Sequence, residues 1–198
     1  MFLTVIIIVI IIIALYLFLI APGLRRVPLM EELKQSLYAH RGLHDNESDA
    51  PENSMPAFEK AIANGFGIEF DIQLSKDKIP VVFHDFTLNR ICGIDGRVED
   101  YTYDELQAFP LCGTDQRIPK FSDVLNLVDG KVPLIIELKI EGKDVSLCQI
   151  EDSILKQYKG QYCIESFNPY GVKWYRENRS EVIRGQLAEI FLKEEGFS

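Results

Sequence analysis

The stretch Gly67-Ile68-Glu69-Phe70-Asp71-Ile72-Gln73-Leu74 alternates apolar and polar residues. That is the period of a strand whose side chains point to opposite faces in turn. Ile68, Phe70, Ile72 and Leu74 share one face; Glu69, Asp71 and Gln73 share the other. Working outward, 37–42, 79–84, 132–140, 162–167 and 182–187 read as further strands, six in all. Helical patterns lie over 54–64, 102–108, 121–128, 145–158 and 169–178. Strands alternating with helices predict an α/β fold with a parallel sheet. A parallel strand covered by helices on both sides is apolar on both faces, so the acids of 67–74 are out of place there. If the sheet instead closes into a barrel, Glu69 and Asp71 point inward at its mouth, joined by Glu137 and Lys139 from 132–140.

The rest of the composition narrows the class. The 198 residues are 47% hydrophobic and 26% charged, which excludes a disordered chain. Residues 2–21 are apolar except for Thr4, and no second run approaches that length, which excludes a multi-span membrane protein. A helix of that length covers ~30 Å, the thickness of a bilayer's hydrocarbon core. No basic residue precedes the run, which favours a retained anchor over a cleaved signal peptide. We expect 1–23 to be a single-pass transmembrane anchor, broken at Pro22-Gly23, and 24–36 a juxtamembrane linker. Arg25, Arg26 and Lys34 all follow the run, and basic flanks stay inside. The expected location is therefore the membrane, with the part from residue 37 onward cytoplasmic. A formal net charge of -9 argues against nucleic-acid binding. Cys92, Cys112, Cys148 and Cys163 show neither a CxxC pair nor zinc spacing and read as free thiols.

The chemistry gathers at the strand ends. They carry, in order, His40-Arg41-Gly42, then Glu69 and Asp71, then His84-Asp85, then Glu137 and Lys139. Three carboxylates at one mouth repel each other unless a cation joins them. Oxygen ligands without thiolate suit Mg²⁺ or Ca²⁺ rather than Zn²⁺. The competing reading is an ion-pair network of Arg41 and Lys139 with these acids. Two histidines beside such a site suggest an acid and a base near neutral pH. His44, in the polar loop 44–49, is expected to be solvated. Asp85 either braces His84 or caps the next loop. Asn53 or Ser54 is placed to cap the helix over 54–64, whose N-terminus could also hold an anion.

The ordered set His40-Arg41-Gly42, Pro51-Glu52-Asn53-Ser54, Glu69-Phe70-Asp71, His84-Asp85 and Glu137-Leu138-Lys139 resembles the glycerophosphodiester phosphodiesterase family. Thr87-Leu88-Asn89-Arg90, Gly96-Arg97-Val98, Tyr103-Asp104-Glu105-Leu106, Ile118-Pro119 and Arg184-Gly185-Gln186-Leu187 agree, so the resemblance spans about 38–190. Ser54 departs conservatively from a common Thr. The resemblance implies a TIM-type (β/α) barrel and metal-dependent hydrolysis of glycerophosphodiesters to sn-glycerol 3-phosphate and an alcohol. It implies that Glu69, Asp71 and Glu137 hold one divalent cation, and that Arg41 and Lys139 bind the substrate phosphate. His40 and His84 then divide the acid and base work, and Glu52 and Asn53 support the site from behind. A head-group-cleaving lysophospholipase D-type enzyme, or an inactive membrane-tethered barrel, are the alternatives.

A closed (β/α)₈ barrel takes roughly 250 residues, with about 200 near the lower limit, and 37–198 is shorter than either. Residues 188–198 carry no strand signal. The expectation is an incomplete barrel of about six strands, truncated at its C-terminal side, with unpaired edges on its first and last strands. Nothing in the sequence sets the oligomeric state.

Overall fold

The computed structural model describes residues 2–21 and 28–189. Among the described residues six strands form one sheet: β1 (Tyr38–His40), β2 (Gly67–Leu74), β3 (Pro80–Val82), β4 (Leu134–Leu138), β5 (Tyr162–Ser166) and β6 (Arg184–Gln186). Five of them are parallel, in the order β1-β2-β4-β5-β6. Each crossover between them carries a helix against the outer face. These are α3 (Met55–Ala63), α6 (Phe121–Val128), α7 (Ser146–Leu155) and α8 (Pro169–Asn178). The α/β class and the six strands are as expected. Among the described residues β1 and β6 each pair on one side only, so the barrel wall is open.

One strand differs from expectation. β3 is not a parallel wall strand but pairs antiparallel with the end of β2, Ile72 opposite Val82. The linking residues 75–79 form a tight turn: Lys78 adopts φ 61°, and Ser75 and Ile79 are joined by a backbone hydrogen bond of 3.0 Å. A parallel return needs a crossover of about a dozen residues, and this link cannot supply one. β1 therefore covers the start of one edge of β2 and β3 its end, while β4 covers the other edge.

Among the described residues two apolar cores result. The main one lies between the sheet and its helices, around Phe58, Phe70, Phe121, Leu134 and Ile136. The second lies in the excursion after β3, where Phe83, Leu88, Ile91, Val98, Leu106 and Ile118 pack together. That excursion holds α4 (Asn89–Cys92), a 3₁₀ turn (Val98–Asp100) and α5 (Tyr103–Leu106). Burying a side chain such as Phe58 contributes ~1.5–3 kcal/mol.

α1 (Phe2–Ile20) is the apolar helix expected from the sequence. Its stretch Phe2–Leu19 has a mean hydropathy of 3.4 and is unburied, so it is long and apolar enough to cross a membrane. The expected linker contains a short helix, α2 (Pro28–Leu33). Arg25 and Arg26, on which the orientation rests, and 190–198, where the strands were expected to stop, lie outside the described residues.

Candidate active site

β1 ends at His40, and the next two residues turn the chain sharply, with Arg41 at φ 56° and Gly42 at φ 83°. A Cβ on Gly42 would sit 2.9 Å from Ala57 Cβ, so only glycine lets this turn pack on α3. The left-handed backbone of Arg41 costs of order 1–3 kcal/mol. It aims the Arg41 backbone N–H at Glu69 Oε2, 3.0 Å away.

β2 and β4 run side by side with Asp71 opposite Glu137. Their parity sends Glu69, Asp71 and Glu137 to one place, where an oxygen from each lies within 4.8 Å of the others. All three are buried. Burial first, then the charge of Asp71, pushes the Glu69 carboxyl up to about 8. Burial also raises Glu137, although a hydrogen bond from Lys139 opposes it. Lys139 Nζ lies 2.8 Å from Glu137 and 3.6 Å from Asp71. Arg41 Nη1 is committed to Glu52 at 2.8 Å. Lys139 and the shared Arg41, whose Nε lies 3.7 Å from Asp71 Oδ2, thus face three carboxylates, and Asp71 Oδ1 is buried with no hydrogen-bond partner. Ion pairs alone leave this cluster negative. The all-oxygen donor set and the orphaned Asp71 oxygen fit a hard divalent cation.

The two strand-end histidines flank the acids. His40 Nε2 lies 3.8 Å from Glu69 Oε2, and His84 Nε2 lies 4.0 Å from Asp71 Oδ1. Partial burial, then the charge of Arg41, lowers the His40 imidazole pKa. Asp85 resolves the choice left open by the sequence: its Oδ1 is 2.6 Å from His84 Nδ1, which orients the ring and leaves Nε2 toward the acids.

A residue quoted from the sequence only within Thr87-Leu88-Asn89-Arg90, without a role, ties this together. Arg90, on α4, bonds Glu52 at 2.7 and 2.8 Å and Asp85 at 2.7 and 2.9 Å. Arg41, Glu52, Arg90, Asp85 and His84 thereby form one continuous chain of contacts. Burial disfavours the Glu52 anion, but hydrogen bonds from Arg90 and Asn46, then the charge of Arg41, outweigh it and hold the carboxyl at about 2. Burial is likewise outweighed at Asp85 by His84 and Arg90, which keep its carboxyl well below the usual range.

Ser54 is the helix cap, accepting from the Ala57 N–H at 3.3 Å. Asn53 is thereby free to donate from Nδ2 to Asp71 Oδ2 at 3.1 Å. His44 departs from expectation: it is half-buried, and its Nδ1 is buried without a partner among the described residues. The loop folds back instead of extending, with Leu43 N donating to Ala57 O and Asp45 N to Ala50 O. Glu165 on β5 was also missed; it stands in register with Glu137. A cleft of about 630 Å³ opens over the cluster, lined by His40, Arg41, Glu69, His84, Glu137, Lys139 and Glu165, with Phe86, Leu138, Ile140, Phe167 and Leu187 as its apolar walls.

The family model "Glycerophosphoryl diester phosphodiesterase family" matches residues 40–189. A glycerophosphodiester phosphodiesterase of Bacillus altitudinis is 36% identical over 128 residues, 61% of this chain and 51% of that protein. One of Caldanaerobacter subterraneus is 31% identical over 174 residues, 82% of this chain and 70% of that protein. A phosphodiesterase of Oleispira antarctica, solved with the product sn-glycerol-3-phosphate, is similar with a TM-score of 0.71 and 28% identity, over 80% of this chain and 67% of that one. The chain thus spans about half the length of the first of these relatives.

Proposed function

This chain belongs to the glycerophosphoryl diester phosphodiesterase family, and on that premise we propose that it hydrolyses glycerophosphodiesters to sn-glycerol 3-phosphate and an alcohol, in phospholipid and glycerol metabolism. The observation that carries the reading is the convergence of three buried carboxylates, two cationic side chains and two imidazoles on one cleft.

Glu69, Asp71 and Glu137 would hold one Mg²⁺ or Ca²⁺. When bound, the cation supplies positive charge at a non-bridging phosphate oxygen and offsets the charge that grows during displacement. Arg41 and Lys139 bind the same phosphate group from the side. Glu52 holds the Arg41 guanidinium in place. Asn53 steadies Asp71. One histidine takes the proton of the attacking glycerol 2-hydroxyl at Nε2, and the other protonates the departing alkoxide. The resulting cyclic phosphate is opened by water with the two roles exchanged. Asp85 keeps His84 in the tautomer that presents Nε2 to the reaction.

Residues 1–23 would anchor the enzyme in the membrane through 2–21, with 24–36 as the connection and the domain from 37 onward in the cytoplasm. The test of the activity is product identity. Phosphorus NMR of a digest of glycerophosphocholine should show glycerol 3-phosphate. Release of phosphocholine would reject the reading. Turnover confined to lysophosphatidylcholine would favour the lysophospholipase D-type alternative.

A further inference from the structure

The excursion between β3 and β4 brings Cys92 and Cys112 side by side. Cys92 ends α4, and Cys112 stands in a tight turn where it and Gly113 take φ 49° and 72°. Thr114 N, donating to Leu111 O at 2.9 Å, and Leu111 N, donating to Gln116 O at 3.0 Å, close that turn. The turn is joined to α4 by Cys112 N, which donates to the Ile91 carbonyl at 2.8 Å. A carbonyl oxygen lies beside the Cα of the residue that follows it. This bond therefore sets the Cα atoms of Cys92 and Cys112 about 5–7 Å apart, and disulfides span about 4.4–6.8 Å. Both side chains pack on the apolar cluster that contains Ile91 and Leu111, and both are half-buried free thiols. Burial first, then the neighbouring Cys112, pushes the Cys92 thiol up to about 12. Cys148 lies apart in the main core, and Cys163 on β5.

We propose that Cys92 and Cys112 are a disulfide-forming pair, and that their oxidation fastens α4 to the 111–116 turn beside the Arg90–Glu52 contact. The oxidant is a small disulfide of the glutathione class. Cys112, the less deeply buried of the two, loses its proton and attacks one sulfur of the oxidant, releasing one small thiolate. Cys92 then loses its proton and attacks the Cys112 sulfur, which forms the cross-link and releases the second thiolate. The two protons end on the two small thiols, and the two electrons reduce the oxidant. Position gives the bond its consequence. Arg90 lies two residues before Cys92 on α4 and holds both Glu52 and Asp85. The Cys112 thiol feels the charges of Glu52 and Arg90. The cross-link thus restrains the short helix from which the charge network hangs. Thiols held at high pKa are slow to leave, so the bond resists reduction once formed. Where glutathione is kept reduced the pair remains a dithiol, and where its disulfide accumulates the cross-link forms.

The test uses the full chain in detergent, equilibrated with oxidised glutathione, alkylated with N-ethylmaleimide under denaturing conditions and digested with trypsin. Cleavage after Arg90, Arg97 and Arg117 separates the two cysteines onto peptides 91–97 and 98–117. Mass spectrometry should find these peptides joined, two hydrogens lighter than their sum, with Cys148 and Cys163 still carrying the alkyl label. The oxidised chain should melt roughly 5 °C or more above the reduced chain. Exchange of the Cys92 and Gly93 amide hydrogens, bonded to Leu88 O and Asn89 O, should slow about tenfold on oxidation. Cys92→Ser and Cys112→Ser should each abolish both effects. Every variant is compared with itself, oxidised against reduced, so one destabilised by its substitution still reports. Peptides 91–97 and 98–117 recovered singly, with label or glutathione on each cysteine, overturn the proposal. So does a cross-link that leaves the melting temperature and the α4 amide exchange unchanged.

Discussion

Replacing Arg90 with methionine keeps most of the stem and removes the guanidinium that joins Glu52 to Asp85. The Glu52 side chain is only 5% exposed, and that of Arg90 is 45% exposed. Glu52 moves from an ordinary 4.5 to about 2 in the folded protein. At ~1.4 kcal/mol per tenfold change in acidity, its partners together contribute about 3 kcal/mol. Arg41 and Asn46 share that stabilisation, and solvent screens the outer part of Arg90, so Arg90→Met should cost about 2 kcal/mol. For a chain of this size that lowers the melting temperature by roughly 4–8 °C. The pH dependence carries the argument. An acid depressed on folding contributes stability that is full above its unfolded value and lost as pH falls toward its folded value. The gap between parent and variant should therefore be widest at pH 7 and shrink steadily below about pH 4.5. Activity should fall by about 10–100-fold at pH 7, because Asp85 no longer holds the His84 ring firmly. Thermal melts across pH 3–7, with rates measured at pH 7, make the comparison. A gap that stays constant with pH would refute the electrostatic origin, and unchanged turnover would refute the link to His84.

His40→Ala and His84→Ala should each lower the rate ~10²–10⁴-fold, the usual contribution of one general acid or base, whereas His44→Ala should change it little; a His44 variant as inactive as the other two would place that residue in the chemistry. Glu151 is fully buried between α7 and α8, with one oxygen accepting from the Tyr175 hydroxyl at 2.7 Å and the other without a partner. Burial raises its carboxyl well above the ordinary range, so the folded protein keeps a proton that the unfolded chain releases as pH rises above about 4.3. Glu151→Gln removes that loss and should melt higher than the parent at pH 8 but not at pH 4; a lower melting point at pH 8 would contradict the assignment.

Much of this architecture was legible because its signals are local. The alternation in 67–74 marks β2 and, with it, two of the three clustered acids. Apolar periodicity delimits α6 and α8 at the bounds observed. The orientation of β3 was less visible, although the turn after Ser75 leaves no room for a crossover. Position in the fold was the harder part. The stretch Thr87-Leu88-Asn89-Arg90 carries the resemblance but gives Arg90 no role until α4 brings it to Glu52, 38 positions away in sequence. Glu165 likewise reads as an ordinary charged residue until β5 pairs with β4 and aligns it with Glu137. His44 sits in a run that is polar throughout, and only the return of that loop onto α3 draws it in. Ser54 and Asn53 were equal candidates for the cap; the backbone of Asn53, at φ 57°, turns its side chain to Asp71 instead.

The central claim is that Glu69, Asp71 and Glu137 form a divalent-cation site on which phosphodiester cleavage depends. The most direct measurement compares the purified chain with its Glu69→Gln variant, by calorimetric titration with Mg²⁺ and Ca²⁺ and by release of glycerol 3-phosphate from glycerophosphocholine. The variant loses a ligand charge at nearly constant shape and is relieved of repulsion from Asp71, so it should fold at least as stably. The account predicts one divalent ion per parent chain, affinity weakened ~10–100-fold or more in the variant, turnover abolished in the variant, and parent activity lost in EDTA and regained when metal is restored. Near-normal turnover by Glu69→Gln in excess metal, or parent activity indifferent to EDTA, would contradict it.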